Sequence, residues 1–96
     1  MFRAQICEHE NGTTLKLQGR LVGAWAEQAR SLFMKDSVPN GLIVDLTDVS
    51  YIDSVGEQVL NWFGSIGAEF VAKATYAAFI CERLNLPLQD RLPISG

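Results

Sequence analysis

The residues with chemistry to offer gather at one junction. An apolar run, Leu42-Ile43-Val44, closes on Asp45. A polar stretch from Thr47 to Ser50 follows, and Asp53-Ser54-Val55-Gly56-Glu57 then opens an amphipathic run. Carboxylates and a hydroxyl thus stand where a loop becomes a helix. The free N–H groups and dipole at a helix start make a ready anion site and suit a phosphoryl group. A serine there can work as a switch, because phosphorylation adds about −1.5 to −2 charges. The same residues also read as plain helix capping. Ser54 as N-cap with Glu57 three residues on forms the S-x-x-E capping box. Asp53 would add negative charge at the positive end of the dipole, typically worth about 0.3–1 kcal/mol. Gly56 would admit a close approach of loop and helix. Residue types alone leave both accounts standing.

Other chemistries find less support. Asp45 and Asp53 both follow an apolar run, as Mg²⁺ ligands do in phosphoryl-transfer enzymes. Such sites need further convergent oxygens and a cation for the phosphate, and no motif places Lys35 or Lys73 for that role. His9 is the single histidine and has no grouped partners for a triad or a zinc site. It reads as a surface residue beside a turn. Neither G-x-x-x-x-G-K-[ST] nor G-x-G-x-x-G occurs. The expectation is no cofactor, no metal and no catalytic residue.

The elements that must position the junction follow from periodicity. Phe2, Ala4 and Ile6 alternate with polar residues, as do Leu15 and Leu17. Two half-buried strands joined at Asn11-Gly12 predict an antiparallel hairpin. Gly19 is expected to end the second strand. A helix begins near Gly23, with Trp25, Ala29, Leu32 and Phe33 as its apolar stripe, and stops before the turn signal Val38-Pro39-Asn40-Gly41. Leu42 to Leu46 reads as a strand covered on both faces, and Thr47 to Ser50 as a turn. Ser54 to Ile66 is a helix that buries Val55, Val59, Trp62, Phe63 and Ile66. Glu69 to Ala74 is a fourth strand anchored by Phe70 and Val71. Thr75 caps a third helix with Tyr76, Phe79, Ile80, Arg83 and Leu84 near one face, and Leu86-Pro87 stops it. The tail offers Leu92-Pro93-Ile94 as a last packing contact. Right-handed crossovers would place the helices largely on one face of the sheet.

The 96 residues suit one domain spanning 1–96, with enough core to fold unaided. A formal charge of −3 and the lack of a basic run argue against nucleic acid as the partner. The N-terminal ten residues show no secretory pattern, and no long uncharged window is present, so a cytoplasmic protein without membrane insertion is expected. Cys7 and Cys81 form no C-x-x-C pair and read as reduced thiols.

Three segments together resemble a known family. Leu15-x-Leu17-x-Gly19, Val44-Asp45-Leu46-Thr47-x-Val49 and Ile52-Asp53-Ser54-Val55-Gly56-x-x-x-Leu60 are similar to the STAS domain, named for sulfate transporters and anti-sigma factor antagonists. The likeness runs from about Phe2 to Leu86. It implies an α/β fold with a mixed four- to five-stranded sheet, an N-terminal hairpin and three or more helices. It further implies a protein–protein interaction module rather than an enzyme, docking through Asp53, Ser54, Val55, Gly56 and Glu57. In switchable members the residue before the glycine is Ser or Thr, and a kinase phosphorylates it. Here that residue is Val55, which has no hydroxyl, so the usual switch cannot operate there. Ser54 next door is a substitute but a poorer acceptor, and a module not switched by phosphorylation in the motif is expected. Glu57 stands where many relatives carry an apolar residue.

The resemblance admits an anti-sigma factor kinase or a signalling scaffold as partner. A second reading is the accessory subunit of a phospholipid-transport ATPase, which this chain is similar to in length and in Asn85-Leu86-Pro87. The half-polar first strand and Trp62, at the edge of its helix stripe, also leave room for a homodimer.

Overall fold

The computed structural model describes residues 2–33, 39, 41–73 and 75–89. Along the chain run β1 (Phe2–His9), β2 (Gly12–Leu21), α1 (Gly23–Ser31), β3 (Leu42–Ile52), α2 (Ser54–Ser65), β4 (Glu69–Val71), α3 (Thr75–Arg83) and β5 (Leu88–Gln89). The strands form one sheet in the order β1-β2-β3-β4-β5. β1 pairs antiparallel with β2, and the other three pairings are parallel. This is the mixed α/β sheet with an N-terminal hairpin and three helices that the sequence predicts.

The hairpin turns on Glu10 and Asn11, with His9 opposite Gly12. His9 is exposed and shares a hydrogen bond with Thr14 Oγ1 at 2.9 Å. Each parallel crossover steps to the next strand in order, which keeps the helices on one face when the crossovers are right-handed. Burial agrees. Leu15, Leu17 and Leu21 of β2 and Leu42, Val44 and Leu46 of β3 are buried, and Lys16, Ile43 and Asp45 between them are half-exposed. Ile43 lies on the half-exposed side, so β3 is covered on one face, not two.

β3 is the element that positions the junction, and it differs most from expectation. It continues through Thr47–Ser50, where a turn was predicted, and ends at Ile52. β2 likewise continues past Gly19, which takes a φ of +96° inside the strand. The β2–β3 register shifts twice, between Lys16 and Gln18 and between Gly19 and Arg20. Such bulges re-phase the side chains, so buried Val49 and Ile52 no longer alternate with Leu46. The polar residues on the open side form a small network: Asp48 accepts from Gln18 Nε2 at 3.3 Å and pairs with Lys16 at 3.7 Å.

Three further boundaries move. β4 stops at Val71, because it pairs with β3 only from Ile43 to Asp45. Leu88–Gln89 adds β5 beside β4, within a stretch read as tail. In α1 the buried residues are Ala26 and Ala29; Trp25 and Leu32 are 38% and 43% exposed, so neither is a core residue. Phe79 of α3 is also exposed, and Ala77, Ile80 and Cys81 carry that helix's packing. The predicted cap at Thr75, most of the turn at Val38–Gly41 and the contact at Leu92-Pro93-Ile94 lie outside the described residues or side chains.

Candidate functional site

The junction is built on Asp53, the residue that β3 delivers to the start of α2. Its backbone N–H donates to Leu21 O at 3.3 Å, which ties the end of β3 to the end of β2. Its backbone is extended, and its side chain is the N-cap of α2. Oδ1 accepts the Gly56 N–H at 2.8 Å, the capping geometry of an aspartate. Oδ2 accepts the Gly23 N–H at 3.1 Å, at the first residue of α1. The N-cap of α1 itself is Val22, which has no side-chain oxygen to offer. One carboxylate therefore caps two helices, and both positive helix ends converge on it.

This corrects the predicted capping box. Ser54 is the first residue of α2 and not its cap. It is exposed, and its hydroxyl has no partner among the described residues. Glu57 does not reach back to the cap. Its carboxylate forms an ion pair with Arg83 at the end of α3, so its charge is balanced rather than presented alone. Val55 is half-buried and packs against the core.

Gly56 is buried at the crossing of α2 with the strand ends. A Cβ there would lie 2.2 Å from Leu21 O and 2.8 Å from Ile52 Cγ2. Only a residue without a side chain lets α2 start this close to the β2 and β3 termini. The predicted close approach is thus present, with main chain as the neighbour.

A second clamp holds the same strand end. The Tyr76 hydroxyl donates to Ile52 O and accepts from Ile52 N–H, both at 3.1 Å. Tyr76 stacks on Tyr51 with ring centroids 6.1 Å apart, and the Arg20 guanidinium lies 5.6 Å from the Tyr51 centroid on that ring's face. Sequence reasoning placed Tyr76 on a packing face and missed these roles. Their partners lie 24 or more residues away, beyond the reach of local periodicity.

The remaining candidates do not converge. Asp45 lies within β3 and accepts the Thr47 N–H at 2.9 Å. Asp53 lies eight positions further along the chain, roughly 25 Å at strand rise, so the two carboxylates cannot share one ion. Lys73 is exposed, and Lys35 lies outside the described residues. Among the described residues no three His, Cys, Asp or Glu side chains gather as a metal site. Cys7 is exposed and Cys81 buried, and neither is in a disulfide. Burial, with Glu82 alongside, raises the Cys81 thiol from 9.0 to about 11. Asn85 takes the left-handed conformation, with φ at +59°, and Leu86 N–H donates to Cys81 O. That pattern ends a helix, so Asn85-Leu86-Pro87 has a structural role of its own. Among the described residues no helix is long and apolar enough to cross a membrane.

A hairpin-led sheet with helices on one face, and a capped helix start delivered by its longest strand, define a class of small α/β fold. The STAS domain family model matches residues 3–63, and the chain belongs to that family. The fold is similar to the crystal structure of an anti-sigma factor antagonist from Mycobacterium paratuberculosis, with a TM-score of 0.75, 23% identity, and 97% of this chain and 89% of that one covered. It is also similar to the STAS domain of an antisigma-factor antagonist from Rhodobacter sphaeroides, with a TM-score of 0.56, 19% identity, and 74% and 84% covered. No curated protein sequence matches the chain.

Proposed function

We propose that this STAS domain is a non-catalytic docking module of the anti-sigma factor antagonist kind. It binds a protein partner through the junction at Asp53, Ser54, Val55, Gly56 and Glu57, and phosphorylation at the family's usual position does not switch it. One observation carries the proposal: the division of labour between Asp53 and its neighbours. Asp53 supplies the negative charge that both helix starts require. The two positive ends are thereby already satisfied, which speaks against a phosphate donor or nucleotide seated there. Ser54 is left exposed on a backbone held by three hydrogen bonds. A rigid, presented loop costs little ordering entropy on docking. At the switch position Val55 offers no oxygen and turns partly into the core.

Affinity capture from the native host tests this, using wild type, Ser54→Arg and Val55→Ser side by side. The expected result is one stoichiometric partner whose binding weakens at least about tenfold with Ser54→Arg, as for a bulky charge inside an interface. Capture unchanged by both substitutions would remove the junction as the docking surface.

A further inference from the structure

β3 outruns one of its neighbours. β4 pairs with it only as far as Asp45, whereas β2 follows it to Ile52. In a parallel pairing the N–H and C=O of one residue point to the same edge. Asp53 N–H donates to Leu21 O on the β2 side. The two polar groups of Ile52 therefore point the other way, where β4 has already ended. Ile52 is only 3% exposed, and main-chain groups buried without a partner are costly and rare. The Tyr76 hydroxyl meets both of them, accepting from the N–H and donating to the C=O. A helix side chain thus stands in for the missing length of β4.

Tyr76 is itself well held. Ala77, Ile80 and Cys81 root α3 in the core, and the Tyr76 ring is stacked on Tyr51. Arg83, seven residues on, shares that side of α3 and pairs with Glu57 in the first turn of α2. α3 therefore grips the junction twice, at the end of β3 and at the start of α2. The grips are unequal. The ion pair is 48% exposed on the Arg83 side, and such pairs contribute little. The hydroxyl bonds hold buried main chain one residue before Asp53.

We propose that Tyr76 is a positioning residue of the docking junction, an inference that rests on the docking reading above. The Asp53 carboxylate must meet two N–H groups at once, that of Gly56 at 2.8 Å and that of Gly23 at 3.1 Å. Hydrogen bonds weaken steeply as they bend or lengthen, so a carboxylate that serves two helices tolerates little movement of its own backbone. Tyr76 removes that movement. Without the hydroxyl the strand end is held on the β2 side alone, both caps lose alignment, and the backbone that presents Ser54 and Val55 loosens. A partner must then order the loop as it docks, and affinity falls. The hydroxyl is turned to main chain, so the effect reaches the partner through Ile52 and Asp53 and not by contact.

Tyr76→Phe, which removes the hydroxyl and keeps the ring, tests this in two arms. In the free protein, amide hydrogen exchange should quicken about tenfold or more at Asp53, Gly56 and Gly23 as well as at Ile52, as in a local opening, while Leu15 and Val44 stay unchanged. Acceleration confined to Ile52 would reduce Tyr76 to one local contact. Uniform acceleration, or a chain that no longer folds, would make it a stabiliser of the whole domain. Any of these three results overturns the proposal. In the second arm the protein captured from the native host is purified, and its affinity for wild type, Tyr76→Phe and Ser54→Arg is measured by calorimetry. Tyr76→Phe should bind about fivefold or more weakly, the cost of ordering a loosened loop. If Ser54→Arg weakens binding and Tyr76→Phe does not, the positioning role is refuted and the docking reading stands. If Ser54→Arg binds like wild type, the docking reading falls and the positioning role falls with it.

Discussion

Asp53 and Gly23 are 30 residues apart in sequence and 3.1 Å apart in space, carboxylate oxygen to backbone nitrogen. That bond makes the start of α1 depend on a residue at the start of α2. Replacing Asp53 therefore uncaps two helices at once. Asp53→Ala should cost about 2–3 kcal/mol, more than one lost cap, since a charged hydrogen bond goes with it. Asp53→Asn keeps one acceptor and should cost less. Denaturant unfolding of the three proteins gives the ranking, and equal stability of wild type and Asp53→Ala would refute the double cap.

Gly56 and Gly67 make a matched pair. Gly56→Ala drives a methyl group into Leu21 O and Ile52, of which the first is main chain and cannot step aside. A loss of about 2–4 kcal/mol is expected. Gly67 has φ at +97° and open space around its missing Cβ, so Gly67→Ala should cost only about 1–2 kcal/mol of backbone strain. Thermal melts separate the two, at about 4–8 °C per kcal/mol for a domain of this size.

The thiols should differ sharply in reactivity. Cys7 is exposed and Cys81 buried, so a thiol reagent should titrate one group in the native protein and both in denaturant. The raised Cys81 value also sets a pH dependence. Below pH 9.0 the thiol is neutral whether folded or not. Between 9.0 and about 11 the unfolded chain releases the proton and the folded chain holds it, so stability falls with rising pH across that window. The difference between wild type and Cys81→Ala isolates this contribution. A flat difference would contradict it.

What was legible in the sequence was the part with a clean period. The hairpin, β1, the first half of β3 and the burial of Val59 and Phe63 in α2 follow from alternation or helical spacing. Val55, Trp62 and Ile66, expected in the same buried stripe, are half-buried, and Leu60 takes their place in the core. β3 beyond Leu46 was hidden because two register shifts break its alternation, leaving Thr47-Asp48-Val49-Ser50 with the look of a turn. β5 is too short to show a period. Trp25 has the spacing of a core residue, but small Ala26 and Ala29 bring α1 close to the sheet, and the large ring is left at the edge against Phe2. At the junction the right residues were visible and their roles were exchanged. Ser54 and Asp53 both qualify as caps by type, and the choice fell to Asp53 because its second oxygen finds Gly23, a partner that no local pattern reveals.

The central claim is a docking loop without the family's phosphoryl switch, and intact-mass spectrometry tests it most directly. The protein is incubated with its captured partner and MgATP, beside Val55→Ser. The account predicts an unmodified mass for wild type with the complex retained. A stoichiometric phosphate on wild type, mapped to Ser54, would contradict it.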